Sequence, residues 1–142
     1  MSGAGTSIKI DVREMAEQAV ATGAREIDVP RFIDARGLLV AFQHGQPLPF
    51  KPVRTFVITD VPPDAHRAQH NITCDQLLWM AAGTCRVLVR QGAANAAGER
   101  HFHLPARGHA LYLPQGVWID LWAFDPHSVL ICLASGDYVA RD

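Results

Sequence analysis

The stretch Gly108-His109-Ala110-Leu111-Tyr112-Leu113-Pro114-Gln115-Gly116-Val117-Trp118-Ile119-Asp120-Leu121-Trp122-Ala123-Phe124 decides the fold. Two apolar and aromatic runs, His109 to Leu113 and Val117 to Phe124, flank a Pro-Gln-Gly break. Proline and glycine punctuate strands, so the pattern predicts two strands joined by a turn. The same grammar runs outward in both directions from Ile33 onward. Further strands are expected at Leu38 to Phe42, Arg54 to Asp60, Gln76 to Met80, Thr84 to Arg90, Glu99 to Leu104 and Val129 to Ala134. Eight short strands close a barrel or pack as two sheets of a jelly roll, either of which leaves few exposed edges. The segment Gln91 to Gly98, with its Gly, Ala and Asn, reads as a hairpin loop. No internal repeat and no long linker interrupts the series.

The N-terminal portion reads differently. Val12, Met15, Ala16, Ala19 and Val20 recur at the spacing of one helical face, with Asp11 as cap, Glu14 three residues on and Gly23 as stop. The expected organisation is therefore an arm over residues 1–30, helical over 11–21 or ordered only against a partner, followed by a β-barrel domain over 31–142. A chain of 142 residues buries one substantial core and is short for two domains.

Composition narrows the partners. With 13 basic against 14 acidic residues the chain lacks the electrostatic footprint of a nucleic-acid or anionic-membrane binder. A small molecule or another protein is expected instead. Cys74, Cys85 and Cys132 form no C-x-x-C pair, and Cys85 and Cys132 sit in apolar runs, which fits a reducing compartment. No apolar stretch reaches the roughly 18 residues of a membrane span, and Met1 to Ile10 lacks a signal-peptide pattern. A cytoplasmic location is expected.

Spacing ties these strands to a known architecture. The chain resembles the cupins, whose barrels carry a motif G-x5-H-x-H-x3,4-E-x6-G and a later motif G-x5-P-x-G-x2-H-x3-N. Gly108, Pro114 and Gly116 match the later motif, with Ile119 at its histidine; the earlier one survives as His70, Ile72, Gln76 and Gly83. The resemblance implies an all-β cupin barrel, or double-stranded β-helix, with these positions at its mouth. Most metal-ligand positions hold non-ligands. One imidazole and one neutral amide fall short of the three or four donors a transition metal requires, so no metal and no cofactor is expected.

More specific strings narrow the family. Ile33-Asp34-Ala35-Arg36-Gly37-Leu38-Leu39-Val40-Ala41, Pro49-Phe50, Arg54, Asp60, Gly83-Thr84-Cys85-Arg86-Val87, Ala110-Leu111-Tyr112, Val117-Trp118 and Val129 to Ser135 resemble the dTDP-sugar 3,4-ketoisomerases, metal-free cupin enzymes of deoxysugar biosynthesis. The resemblance runs from about Ile33 to Tyr138 and implies a homodimer acting on a nucleotide-linked sugar, for antibiotics or surface polysaccharides. The family's loop R-G-x-H-A-H is matched by Arg67 and His70 within Arg67-Ala68-Gln69-His70-Asn71-Ile72, one residue shorter and with Ile72 for the second histidine. Phe56 and Val57 stand where tyrosines are usual, and Val117-Trp118-Ile119-Asp120 replaces V-W-H-E.

Moving a ketone from C4 to C3 of a hexose requires removal of the C3 proton, an enediol, and return of a proton to C4. Histidine, with an ordinary pKa of about 6.5, serves as base and then acid. His70 is the candidate, and Tyr112 the candidate second catalytic group. Arg54 and Arg67 are candidates for gripping the diphosphate, Trp79 or Trp118 for stacking on base or sugar, and Gln76 for binding substrate. Plainer readings stand beside these. His70 also suits a solvated loop, Arg54 and Arg67 strand edges, and Trp79, Trp118 and Trp122 a core; His101 and His103, at ligand spacing, suit a solvated face. A barrel that binds a sugar nucleotide or protein without turnover is the rival to the isomerase. A third reading is an enzyme whose Ile72 and Ile119 shape the pocket for a less polar substrate.

Overall fold

The computed structural model describes residues 23–91 and 98–139, so the expected helix over 11–21 lies outside the described residues. Eleven strands run in chain order: β1 Arg25–Ile27, β2 Arg31–Asp34, β3 Gly37–Val40, β4 Arg54–Thr59, β5 Arg67–Asn71, β6 Gln76–Ala82, β7 Cys85–Arg90, β8 Arg100–Leu104, β9 Ala110–Leu113, β10 Trp118–Trp122 and β11 Val129–Ala134. They form a five-stranded sheet, β1-β9-β6-β11-β4, a four-stranded sheet, β5-β10-β7-β8, and a separate hairpin, β2-β3. All pairings between these strands are antiparallel. The two larger sheets pack face to face as a jelly-roll barrel, the all-β class expected. Among the described residues no helix is long and apolar enough to cross a membrane.

The core follows from the period of two along each strand. In β6, Leu78 and Met80 point between the sheets, where they meet Leu130 and Cys132 of β11, Val87 and Val89 of β7 and Ile119 and Leu121 of β10. Leu77 and Trp79 point the other way, into a second cluster with Val29, Leu48, Phe50 and Ala110. Covered on both faces, β6 reads as a continuous apolar run, Leu77 to Ala82. Burying each such large aliphatic side chain contributes about 1.5–3 kcal/mol.

Two glycines hold the turns that aim the site. Gly116, at φ 100°, closes the turn between β9 and β10, and its amide donates to the Ile72 carbonyl at 2.9 Å. Gly83, at φ 70°, links β6 to β7; a Cβ there would stand 2.8 Å from Ser128 Cβ. Both are the glycines that carried the fold's spacing motifs.

Three strands depart from expectation. β1 lies in the segment read as an arm, yet pairs with β9, so the sheet takes in residues ahead of the boundary drawn at residue 31. β2 pairs with β3 across Ala35 and Arg36, where Asp34 accepts from the Arg36 amide at 2.8 Å. β5 was expected as a motif loop because its Arg-Ala-Gln-His-Asn sequence has no apolar alternation. It is a strand at the edge of the four-stranded sheet, held by backbone pairing to β10.

Candidate active site

The unpaired edges of the two sheets, β4 on one and β5 on the other, frame the mouth of a cavity of about 530 Å³. That volume lies in the range of small-molecule sites. The alternation of β4 turns Arg54, Phe56 and Ile58 toward it and leaves Thr55, Val57 and Thr59 exposed. Gln76 and Leu78 of β6, Ile119 and Leu121 of β10 and Cys132 of β11 form its floor. Two arginines and two histidines reach its wall and, among the described residues, no aspartate or glutamate does, so the cavity suits an anion.

His70 sits on this wall opposite Ile119 in register. Its Nδ1 lies 2.9 Å from the Asn71 carbonyl oxygen. A carbonyl only accepts, so Nδ1 carries the proton and Nε2 keeps its lone pair. The Asn71 side-chain amide donates to the Gly116 carbonyl at 2.8 Å and fixes this end of β5 to the β9–β10 turn. Just before His70, Ala68 and Gln69 adopt φ of 71° and 58°, and the register against β10 shifts there. Each non-glycine residue in that region costs about 1–2 kcal/mol, strain of the kind that gathers at functional sites.

Arg54 is braced. Its Nε donates to the Gly136 carbonyl at 3.2 Å, and its guanidinium lies 4.9 Å from the Phe56 ring centre and 5.8 Å from that of Tyr138. Arg67 lines the same wall from an exposed position. Gln76 is buried at the start of β6, its side chain among cavity-lining groups. Four expected site residues, Arg54, Arg67, His70 and Gln76, thus share one cavity.

The other three lie elsewhere, for one reason: the strand period places each on the face away from the cavity. Tyr112 alternates with the inward Leu111 and Leu113 and packs outside β9, with the Arg25 guanidinium 4.7 Å from its ring and Phe50 at 6.2 Å. Burial first, and then the Asp75 carboxylate, raise its hydroxyl above the ordinary tyrosine range. Trp79 lies in the outer cluster, donating from Nε1 to the Gly108 carbonyl at 3.0 Å. Trp118 stands outside β10 beneath the Arg90 guanidinium at 4.4 Å. Trp122, on the same face, stacks with His66.

Other residues of the cavity were either named only as departures from the family pattern, as Phe56, Ile72 and Ile119 were, or escaped the sequence reading. Phe56 and Ile58 follow from Arg54 at steps of two once β4 is fixed. Tyr138 and Val139 come from the chain after β11, where no periodic signal exists. Cys132 is wholly buried, and desolvation holds its thiol protonated, far above the ordinary cysteine range, so it serves as wall rather than nucleophile. Ile72 and Ile119, at positions where the resemblance implies histidines, line the cavity as buried apolar groups. His101 points to solvent with Nε2 3.5 Å from Glu99 Oε1, and no three His, Cys, Asp or Glu side chains converge on a metal position among the described residues.

Known proteins share this fold. The sequence pattern of the FdtA family, described as WxcM-like, C-terminal, matches residues 22–142. The TDP-4-oxo-6-deoxy-alpha-D-glucose-3,4-oxoisomerase of Aneurinibacillus thermoaerophilus is 32% identical over 117 residues, 82% of this chain and 81% of that protein. Among solved structures, a 3,4-ketoisomerase from Helicobacter canadensis superposes with a TM-score of 0.76 at 24% identity, over 83% of this chain and 86% of that one. A double mutant of the QdtA 3,4-ketoisomerase from Thermoanaerobacterium thermosaccharolyticum, in complex with TDP, does so at 0.73 and 25% identity, over 82% of each. With the family pattern spanning nearly all of the chain and a relative this similar, the protein belongs to the FdtA family of WxcM-like proteins.

Proposed function

We propose that the chain is an isomerase that moves the ketone of a nucleotide-linked 4-keto-6-deoxy sugar from C4 to C3 through an enediol. The observation that carries this reading is His70, whose Nδ1 is occupied by the Asn71 carbonyl and whose free nitrogen is an acceptor on the cavity wall. His70 takes the C3 proton and returns it to C4 while the O3 hydroxyl proton passes to O4 at the enediol stage, so no net proton is consumed. Charge developing on the enediol oxygens is met by the Arg67 guanidinium and the Gln76 amide. Arg54, braced by Gly136 and flanked by two rings, receives the diphosphate, as befits a pre-oriented fork of donors. Ile72 and Ile119 supply a dry wall beside the reacting carbons. The rival reading, binding without turnover, rests on the loss of the second loop histidine, replaced by Ile72, and of the tyrosines, replaced by Phe56 and Val57; the retained His70 on the cavity wall favours turnover.

The reading includes a homodimer and a cytoplasmic setting. The β2–β3 hairpin belongs to neither large sheet and exposes Phe32 at 62%, Ile33 at 75% and Leu39 at 59%. A two-stranded hairpin with apolar groups exposed on both faces, Phe32 and Leu39 on one and Ile33 on the other, is marginal alone and gains by packing on a second copy. Three free, buried cysteines fit a reducing compartment.

The test is incubation with a dTDP-4-keto-6-deoxyhexose in deuterated water, followed by NMR. Label at the carbons flanking the ketone, absent with His70→Ala, is expected. Nucleotide binding by the unmutated protein with no label and no 3-keto product would sink the isomerase reading for this sugar.

A further inference from the structure

Arg67 and His70 both line the cavity although they are three residues apart on β5. In a regular strand an odd spacing puts two side chains on opposite faces. The bulge resolves the conflict: Ala68 faces Asp120 and His70 faces Ile119, with Gln69 left over between them. One extra residue changes the parity, so the Arg67 guanidinium and the proton carrier face the same space, which the Ala68 methyl reaches as well. The bulge contains no glycine, and both Ala68 and Gln69 are left-handed. Such a backbone persists only where its surroundings over-determine it.

On the C-terminal side the Asn71 bond to Gly116 holds it. The N-terminal side is held from the opposite face of the sheet. Asp120 and Trp122 alternate with the inward Ile119 and Leu121, and so project outward from β10. His66, directly before β5, turns its ring onto them. Its Nδ1 lies 2.8 and 3.0 Å from the two Asp120 carboxylate oxygens, and its ring stacks on Trp122 at 5.8 Å and 11°. Although His66 reaches the cavity wall, its ring is committed to this outer face. Asp120 is 7% exposed, and a carboxylate so removed from water is costly without a partner.

We propose that His66, Asp120 and Trp122 form a clamp that holds the Ala68–Gln69 bulge, making them positioning residues for His70 and Arg67. The kinetic consequence rests on the isomerase reading above; the structural one does not. Loss of the clamp lets β5 relax to a regular register, and one of the two side chains then leaves the cavity.

The experiment compares the full chain with Asp120→Asn, an isosteric change, and with Trp122→Leu, which removes the stack without leaving a carboxylate unpaired. The first readout is the ¹⁵N NMR signature of the His70 ring, expected as the Nδ1-protonated tautomer in the unmutated protein and as a mixture of tautomers in both variants. The second is kcat on a dTDP-4-keto-6-deoxyhexose, expected to fall about 10- to 100-fold, the scale of a misplacement of about 1 Å. Adding Ala68→Gly and Gln69→Gly to Asp120→Asn relieves the backbone strain and restores both readouts, which a general loss of stability would not allow. An unchanged His70 signature in both variants, or a failure of the glycines to restore it, overturns the clamp. If the unmutated protein turns over nothing, the isomerase reading fails, while the tautomer shift and its recovery by glycine still decide the clamp.

Discussion

The His70 ring and the Asn71 backbone are bonded to each other at 2.9 Å, neighbour to neighbour along an edge strand, and this bond selects which imidazole nitrogen faces chemistry. Because Nδ1 must donate, the exchangeable lone pair is on Nε2. His70→Gln keeps a polar side chain but removes a base able to carry a carbon-bound proton. We expect kcat to fall by about 10² to 10⁴, the usual worth of a positioned acid–base group, with TDP binding retained. Steady-state kinetics alongside calorimetric titration with TDP checks both halves; an unaltered kcat removes His70 from the mechanism.

Arg54 tests the binding half of the site. Its Nε is engaged by the Gly136 carbonyl, and rings flank its guanidinium, so the fork is oriented before ligand arrives. Lysine cannot reproduce that geometry. A charge-assisted hydrogen bond is worth about 1.5–3 kcal/mol, so Arg54→Lys and Arg54→Ala should each weaken TDP binding about 10-fold or more. Equal affinity in all three proteins would place the diphosphate elsewhere.

Much of this was legible in the sequence, and the reason is the period of two. All eight expected strands occur, because each alternates or is bounded by Gly, Pro or Asp in a way that propensity and turn chemistry dictate. The same period also governs Tyr112, Trp79 and Trp118, but which face is inward depends on what packs there. For β6 and β9 both faces are covered, so hydrophobicity carried no sign. β5 was opaque for the opposite reason: a polar strand with a bulge has no alternation to read, and its position is set by pairing with β10.

Tyr112 supplies a direct check on that correction. Its ring packs between Arg25 and Phe50, away from the cavity. Tyr112→Phe should leave kcat and KM as they are and change stability by about 1 kcal/mol, the net worth of the hydroxyl's hydrogen bond to the Asp75 carboxylate. A large loss of kcat in a folded variant would bring Tyr112 back into the catalytic set.

The thiols make stability fall in alkali. Burial first, and the Asp125 carboxylate second, push Cys85 up to about 12 from an ordinary 9.0. The folded chain therefore holds this proton more tightly than the unfolded chain. The stabilisation is fully present below pH 9 and drains away between pH 9 and 12. Cys132, raised by its own burial, adds to the same slope. Urea midpoints measured from pH 8 to 11 should decline in the unmutated protein and decline less steeply in Cys85→Ala, which starts lower because it leaves a cavity. Parallel slopes would show that Cys85 is not the group that titrates.

The hairpin gives the assembly prediction. β2 and β3 contact each other, while Phe32 and Leu39 project into solvent on one face and Ile33 on the other, from a piece of sheet with no third strand among the described residues. Apolar surface of this kind is worth about 25 cal/mol per Å² once covered, and a charge placed within it forfeits that gain and must also be desolvated. Ile33→Asp should therefore convert a dimer to a monomer in light scattering at micromolar concentration, while the barrel's unfolding transition survives because no core residue is touched. The outcome also separates assembly from catalysis. TDP binding retained by the monomeric variant would make the cavity self-sufficient within one protomer; binding lost with the dimer would make the partner part of the site. If the unmutated protein is itself monomeric at that concentration, the exposed hairpin face is not a self-association surface.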